Sequence, residues 1–138
     1  MESDVPMFCF QCEQTAGGKG CTGRNGVCGK SGEVARLQDE LTGALVALAR
    51  SPVRSDMGAD GDMAVMKALF STLTNVDFDP DDIRSQKALV EKLSGGAPVY
   101  DMSCLWDASE DVRSLKSLIL FGIRGMAAYA YHAAVLGC

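Results

Sequence analysis

The chain has 138 residues, of which 47% are hydrophobic and 22% charged, with a net charge of −5 and a pI near 4.7. That length suits one domain with one sizeable core, and the apolar share excludes a disordered chain. The acidic balance argues against a nucleic-acid partner, which rewards clustered lysine and arginine.

Residues 1–6 read as a short flexible leader, with acids and none of the apolar core of a signal peptide. Farther on, Lys116, Arg124 and His132 interrupt the most apolar run, so no membrane partner is expected. The expected location is the cytoplasm, whose reducing conditions keep thiols available.

Residues 7–30, MFCFQCEQTAGGKGCTGRNGVCGK, carry Cys9, Cys12, Cys21 and Cys28, spaced C-x2-C-x8-C-x6-C, and no histidine. Seven of the fifteen glycines fall from Gly17 to Gly32. Thiolates bind iron–sulfur clusters and zinc, and glycine lets backbone N–H groups approach a cluster's sulfides. The short gap presents two sulfurs from one turn, and the longer gaps let the chain circle one centre. Zinc sites commonly close with a second C-x2-C or a histidine pair, both missing here. The first reading is therefore an iron–sulfur cluster held by these four cysteines. A structural zinc site and a loop of inert or oxidised thiols are the alternatives. Lys19, Arg24 and Lys30 within the loop either offset an anionic cluster or are solvated surface charges.

Helices follow. Ser31 is placed to cap the first, with Glu33 in its first turn. Val34, Leu37, Leu41, Leu45 and Leu48 recur at steps of three and four, one core-facing stripe along about 18 residues that Pro52 ends. Residues 51–61 form a polar turn region. Asp62 is the expected cap of a second helix, whose Met63, Met66, Leu69, Phe70 and Leu73 read as core, not as a metal box. A third helix has the clearest start: Asp79 caps, Pro80 takes the first helical position, and Asp81 and Asp82 complement the dipole. Ile83, Val90 and Leu93 face inward, with Ala88 a further candidate, and Gly95 and Gly96 end it. In the connector at 97–108, Trp106 is expected to plug the bundle and Cys104 to be a structural or free thiol.

Residues 109–136 read as one long helix, with Val112, Leu115, Leu118, Ile119, Ile123 and Met126 on one face. Gly122, Gly125, Ala127 and Ala130 would let another helix approach closely, while Tyr129 and Tyr131 widen the apolar girth toward burial on more than one side. His132 is read as a packing residue. Glu33, Asp39 and Glu40 form no acid–base pair, and no catalytic residue, phosphate loop or dinucleotide fingerprint is evident. With no strand pattern in competition, the expected fold class is all-α: a bundle of three to four helices at 31–138, forming one domain with the leader and cysteine-rich loop at 1–30.

The run MFCFQCEQTA, then GC, then GVCGK, resembles the start of the hybrid-cluster proteins, also called prismane proteins or hydroxylamine reductases. Leu37, Gln38 and Asp39, then LFSTLTNVDFD at 69–79, then EDVRSLKSLILFGIRGMAAYAYHAAVLG at 110–137, continue the likeness. The resemblance implies an oxidoreductase family and an N-terminal electron-relay domain with Cys9, Cys12, Cys21 and Cys28 as cluster ligands. The x8 gap is similar to the branch with a [4Fe–4S] cluster and the x6 gap to the branch with [2Fe–2S]; the extra residue falls in the glycine-rich 23–26, where a bulge is cheap, which favours [4Fe–4S]. The family's active centre, a hybrid iron–sulfur–oxygen cluster, has its ligands downstream of the residues matched here. A flavin or iron–sulfur reductase, or a ferredoxin-like protein, is the implied electron donor. Without downstream domains the long helix keeps an exposed apolar face, so a homodimer through that face is expected.

Overall fold

The computed structural model describes residues 5–12, 19–52 and 57–138. Residues 1–4 of the leader, Gly17 and Gly18 of the cysteine loop, and residues 53–56 of the predicted turn lie outside them. The described residues form five helices: α1 (Gly32–Arg50), α2 (Gly58–Ser71), α3 (Pro80–Leu93), α4 (Ser103–Trp106) and α5 (Glu110–Val135). They contain no strand, only one antiparallel bridge, between Cys9 and Cys21. The fold is all-α, as the periodicity predicts.

α1 begins where Ser31 Oγ accepts the Val34 N–H at 3.2 Å, and it ends before Pro52, as expected. Its stripe of Val34, Leu37, Leu41, Ala44, Leu45 and Leu48 is buried against Ala68 of α2 and Ile83 and Val90 of α3. Each such leucine contributes about 1.5–3 kcal/mol through burial. α1 packs chiefly on α3, while α2 bridges from α3 to α5. Ser51 Oγ donates to the Ser94 carbonyl at 3.2 Å, tying the ends of α1 and α3. The connector crosses α1 at Gly43: the Tyr100 N–H donates to the Gly43 carbonyl at 3.1 Å, and a β-carbon at 43 would stand 2.2 Å from the Tyr100 oxygen.

α3 starts as predicted, with Asp79 Oδ1 accepting the Asp81 N–H at 2.9 Å, and stops at Gly95 and Gly96, both at positive φ. Ala88 points to solvent rather than to the core. α2 corrects the expected boundary. It begins at Gly58, so Asp62 lies inside it, and Met57 packs across the first turn onto Gly61. The connector also carries a helical turn unforeseen from hydropathy, α4, started by Asp101 Oδ1 accepting the Ser103 N–H at 2.9 Å. Trp106 does not plug the bundle. It lies half-buried against Phe8 and Phe10, with ring centroids 5.2 and 5.0 Å away, and the Arg113 guanidinium covers its ring at 4.8 Å. It therefore clamps the segment leading into the cysteine loop.

The apolar face of α5 is exposed, as expected: Leu115, Leu118, Ile119 and Met126 are 61–74% accessible. The burial on more than one side that the girth of this helix suggested is not found among the described residues. Only Arg124 and Ala127 of this helix are buried. A β-carbon at Gly122 or Gly125 would meet nothing within 4 Å, so no helix makes the expected close approach there. By length and apolar composition alone, α5 is sufficient to cross a membrane. His132 is exposed, its ring edge-on to Phe70 with centroids 5.0 Å apart.

Candidate metal centre

The cysteine loop is organised by its one bridge. The Cys9 N–H donates to the Cys21 carbonyl at 3.0 Å and the Cys21 N–H to the Cys9 carbonyl at 2.7 Å. Residues directly opposed in such a pair carry their side chains on the same face. The return strand passes so close that a β-carbon on Gly20, which sits at φ +63°, would stand 2.5 Å from the Cys9 oxygen. Only glycine fits there. Cys28 is presented by a tight turn in which the Gly29 N–H donates to the Gly26 carbonyl and the Gly26 N–H to the Lys30 carbonyl, each at 2.9 Å.

The result is one small recess lined by Cys9, Cys12, Cys21 and Cys28 together, with Met7, Gln11, Gly26, Val27, Lys30 and Thr74 completing its wall. The structure thus brings together the four cysteines singled out from spacing, none of them in a disulfide. Cys104 and Cys138 are exposed and lie outside this wall.

Lys30 is not a solvated surface charge. It is 2% exposed, whereas Lys19 and Arg24 are on the surface. Its Nζ donates to Gln38 Oε1 at 2.6 Å and to Gln11 Oε1 at 3.2 Å. A buried, hydrogen-bonded ammonium beside sulfur ligands offsets negative charge accumulated on them. Burial pushes the Cys9 thiol above its ordinary range, and Lys30 pulls it partway back. Metal binding must displace that proton.

Behind the recess runs a polar network that spacing did not reveal. Gln11 Nε2 donates to Asp39 Oδ1 at 2.7 Å, and Gln38 Nε2 donates to the Asp77 carbonyl at 2.8 Å. Arg124, 4% exposed, donates through Nε to Thr72 at 2.9 Å and through an Nη to Thr42 at 2.7 Å. Burial lowers the Arg124 pKa to about 10, and Asp39 counters that fall. Glu33 pairs with Arg84, and Glu40 with Arg36 at 2.6 Å and Lys87 at 3.1 Å. Gln11 and Arg124 left no pattern because their partners lie 19 or more residues away in sequence. An arginine in an apolar helix was the one available signal.

Among the described residues, no three His, Cys, Asp or Glu side chains converge on a position for a single metal ion. One zinc would hold its sulfurs about 3.8 Å apart, given a Zn–S bond of about 2.3 Å; a polynuclear iron core accepts thiolates spread more widely. Four soft donors on one recess, a β-carbon-free wall at Gly26 and a buried cation beside it fit an iron–sulfur group.

Fold and loop together define a class: an all-α domain with a sulfur-lined site at its amino end. The Prismane/CO dehydrogenase family model matches residues 7–138, and the chain belongs to that family, one of iron–sulfur cluster proteins. It is similar to the hydroxylamine reductases of Solidesulfovibrio magneticus (38% identity, 95% of this chain and 30% of that one), Methanocella arvoryzae (39%, 95% and 31%) and Desulfovibrio desulfuricans (39%, 95% and 30%). The chain spans about 30% of the length of these relatives.

Proposed function

We propose that this chain is the electron-relay domain of a hydroxylamine-reductase-like oxidoreductase, with Cys9, Cys12, Cys21 and Cys28 holding a [4Fe–4S] cluster. The observation that carries this reading is the recess those four thiols share. When bound, such a group supplies one-electron transfer with little rearrangement. The chain's own residues supply the rest. Gly20 and Gly26 let the backbone close around the site, Lys30 offsets its charge, and the Phe8–Trp106–Phe10 cluster fixes the entering strand. In this reading, reduction of substrate belongs to a hybrid cluster held by other residues of the enzyme, as the family resemblance implies. Electrons arrive from a flavin or iron–sulfur reductase, or a ferredoxin-like donor, in the cytoplasm.

The exposed face of α5 is the proposed contact between two copies of this chain. Val112, Leu115, Leu118, Ile119, Ile123 and Met126 are 42–74% exposed, an apolar patch that a second copy would cover. Arg124 anchors the helix to Thr42 of α1 and to Thr72 just after α2, which favours a protein contact over insertion in lipid. Neither nucleic acid nor membrane is a proposed partner. Light scattering is expected to give a dimer mass, and a monomer at high concentration would contradict the pairing.

Anaerobic reconstitution with iron and sulfide tests the main reading. About four irons per chain and a broad visible absorption shoulder are expected for the preferred cluster. Protein that stays colourless with one tight zinc would instead support the structural-metal alternative.

A further inference from the structure

Asp39 stands between the cysteine loop and solvent. Its Oδ1 accepts from Gln11 Nε2 at 2.7 Å, and Gln11 lies between Cys9 and Cys12 in the chain. On the outer side, Asp39 lines an open cavity of about 440 Å3 walled by Phe8, Phe10, Tyr100 and Met102. On the inner side it lines a recess of about 30 Å3 shared with Gln11 and Arg124. That volume has room for an ordered water among polar groups. Asp39 is thus reachable by protons from one side and bonded to the loop on the other.

Resting on the cluster reading above, we propose that Asp39 is a redox-linked proton site: when one electron from a low-potential one-electron donor is stored on the four-thiolate centre, the Asp39 carboxylate takes one proton from solvent through the outer cavity, and it releases that proton when the electron leaves. Charge then balances locally, one electron against one proton, with the O–H bond of a carboxylic acid formed and broken. An added negative charge near a buried carboxylate raises its proton affinity.

The groups facing Asp39 make it responsive. Burial already raises its pKa to about 6, near neutrality, while Gln11, Arg124 and Lys30 restrain the rise and Glu40 adds to it. Lys30 comes from the loop, Arg124 from α5 and Glu40 from α1 itself; Arg36 and Asp101 line the outer cavity, and the Cys9 thiol lies across Gln11. Further negative charge on the sulfurs pushes the carboxyl in the direction of protonation at neutral pH.

The test is the midpoint potential of the reconstituted 138-residue chain from about pH 5 to about pH 9, with dithionite as reductant. The potential is expected to fall with rising pH, with a limiting slope of about 59 mV per tenfold change in proton concentration for one electron and one proton. Asp39→Asn flattens the profile, and Asp39→Glu restores it. A purely structural Asp39 would change iron content or stability and leave the slope in place. Infrared difference spectra of the unmutated chain give a second reading should Asp39→Asn fail to load iron: a protonated-carboxyl band appears on reduction and shifts with 13C-labelled aspartate. A flat potential with an intact cluster spectrum, an unchanged slope in Asp39→Asn, or no such infrared band overturns the proposal. Absence of iron overturns the cluster reading itself, and metal analysis reports that before any potential is measured.

Discussion

α1 and α5 are both long, apolar and amphipathic, yet they end in opposite environments. α1 has twelve buried residues and α5 has two, Arg124 and Ala127. Periodicity says which face of a helix is apolar. It does not say whether the partner for that face lies within the same chain. On α5 the usual pattern is inverted, with Leu118 and Met126 in solvent and an arginine in the interior. α1 is the frame of this domain, and α5 is a boundary that packs on α2 and reaches α1 through Arg124.

Breaking the frame has the largest expected effect. Leu41 is fully buried, so Leu41→Ala lowers stability by about 3–4 kcal/mol, measured by urea unfolding. The next effect comes from the polar side of α1. The folded pKa of Asp39, about 6, lies above its ordinary 3.8, so the native state binds the extra proton between these values. The contribution of Asp39 to the stability of the metal-free chain is therefore greatest below that window and falls by up to about 3 kcal/mol as pH rises through it. Asp39→Asn removes this dependence, and pH-dependent unfolding checks it.

Arg124→Met sharpens the comparison further. Both threonine hydroxyls keep acceptors of their own, Thr42 at the Gln38 carbonyl and Thr72 at the Leu69 carbonyl, each at 2.8 Å. Replacing a buried charge with an apolar side chain of similar size is therefore expected to shift stability by no more than about 1 kcal/mol. Losing its positive field moves the Asp39 pKa higher, which carboxyl-selective NMR detects. The smallest change is Leu118→Ser, expected within about 0.5 kcal/mol for the monomer because the side chain is already exposed. Its effect appears in dimerisation instead, as a lower mass in light scattering.

Much of this architecture was legible from local rules. Ser31 and Asp79 cap where their side chains reach the backbone within three residues, and Gly95 and Gly96 end α3 because they adopt positive φ. That the four cysteines share one recess was legible because their spacing lets one loop gather them. Asp62 misled because a polar residue inside a helix looks like a cap when the preceding turn is glycine-rich. Trp106 misled because size predicts burial but not against which element. Lys30, Gln11, Asp39 and Arg124 carry no periodic signature, since each is defined by a partner brought close only by the fold.

The most direct measurement is iron-edge X-ray absorption on the anaerobically reconstituted chain, with Cys28→Ser as its control. Iron surrounded by sulfur with a short iron–iron vector, weakened in the variant, is the predicted result. Iron bound through oxygen or nitrogen, with no neighbouring iron, would contradict a cluster shared by Cys9, Cys12, Cys21 and Cys28.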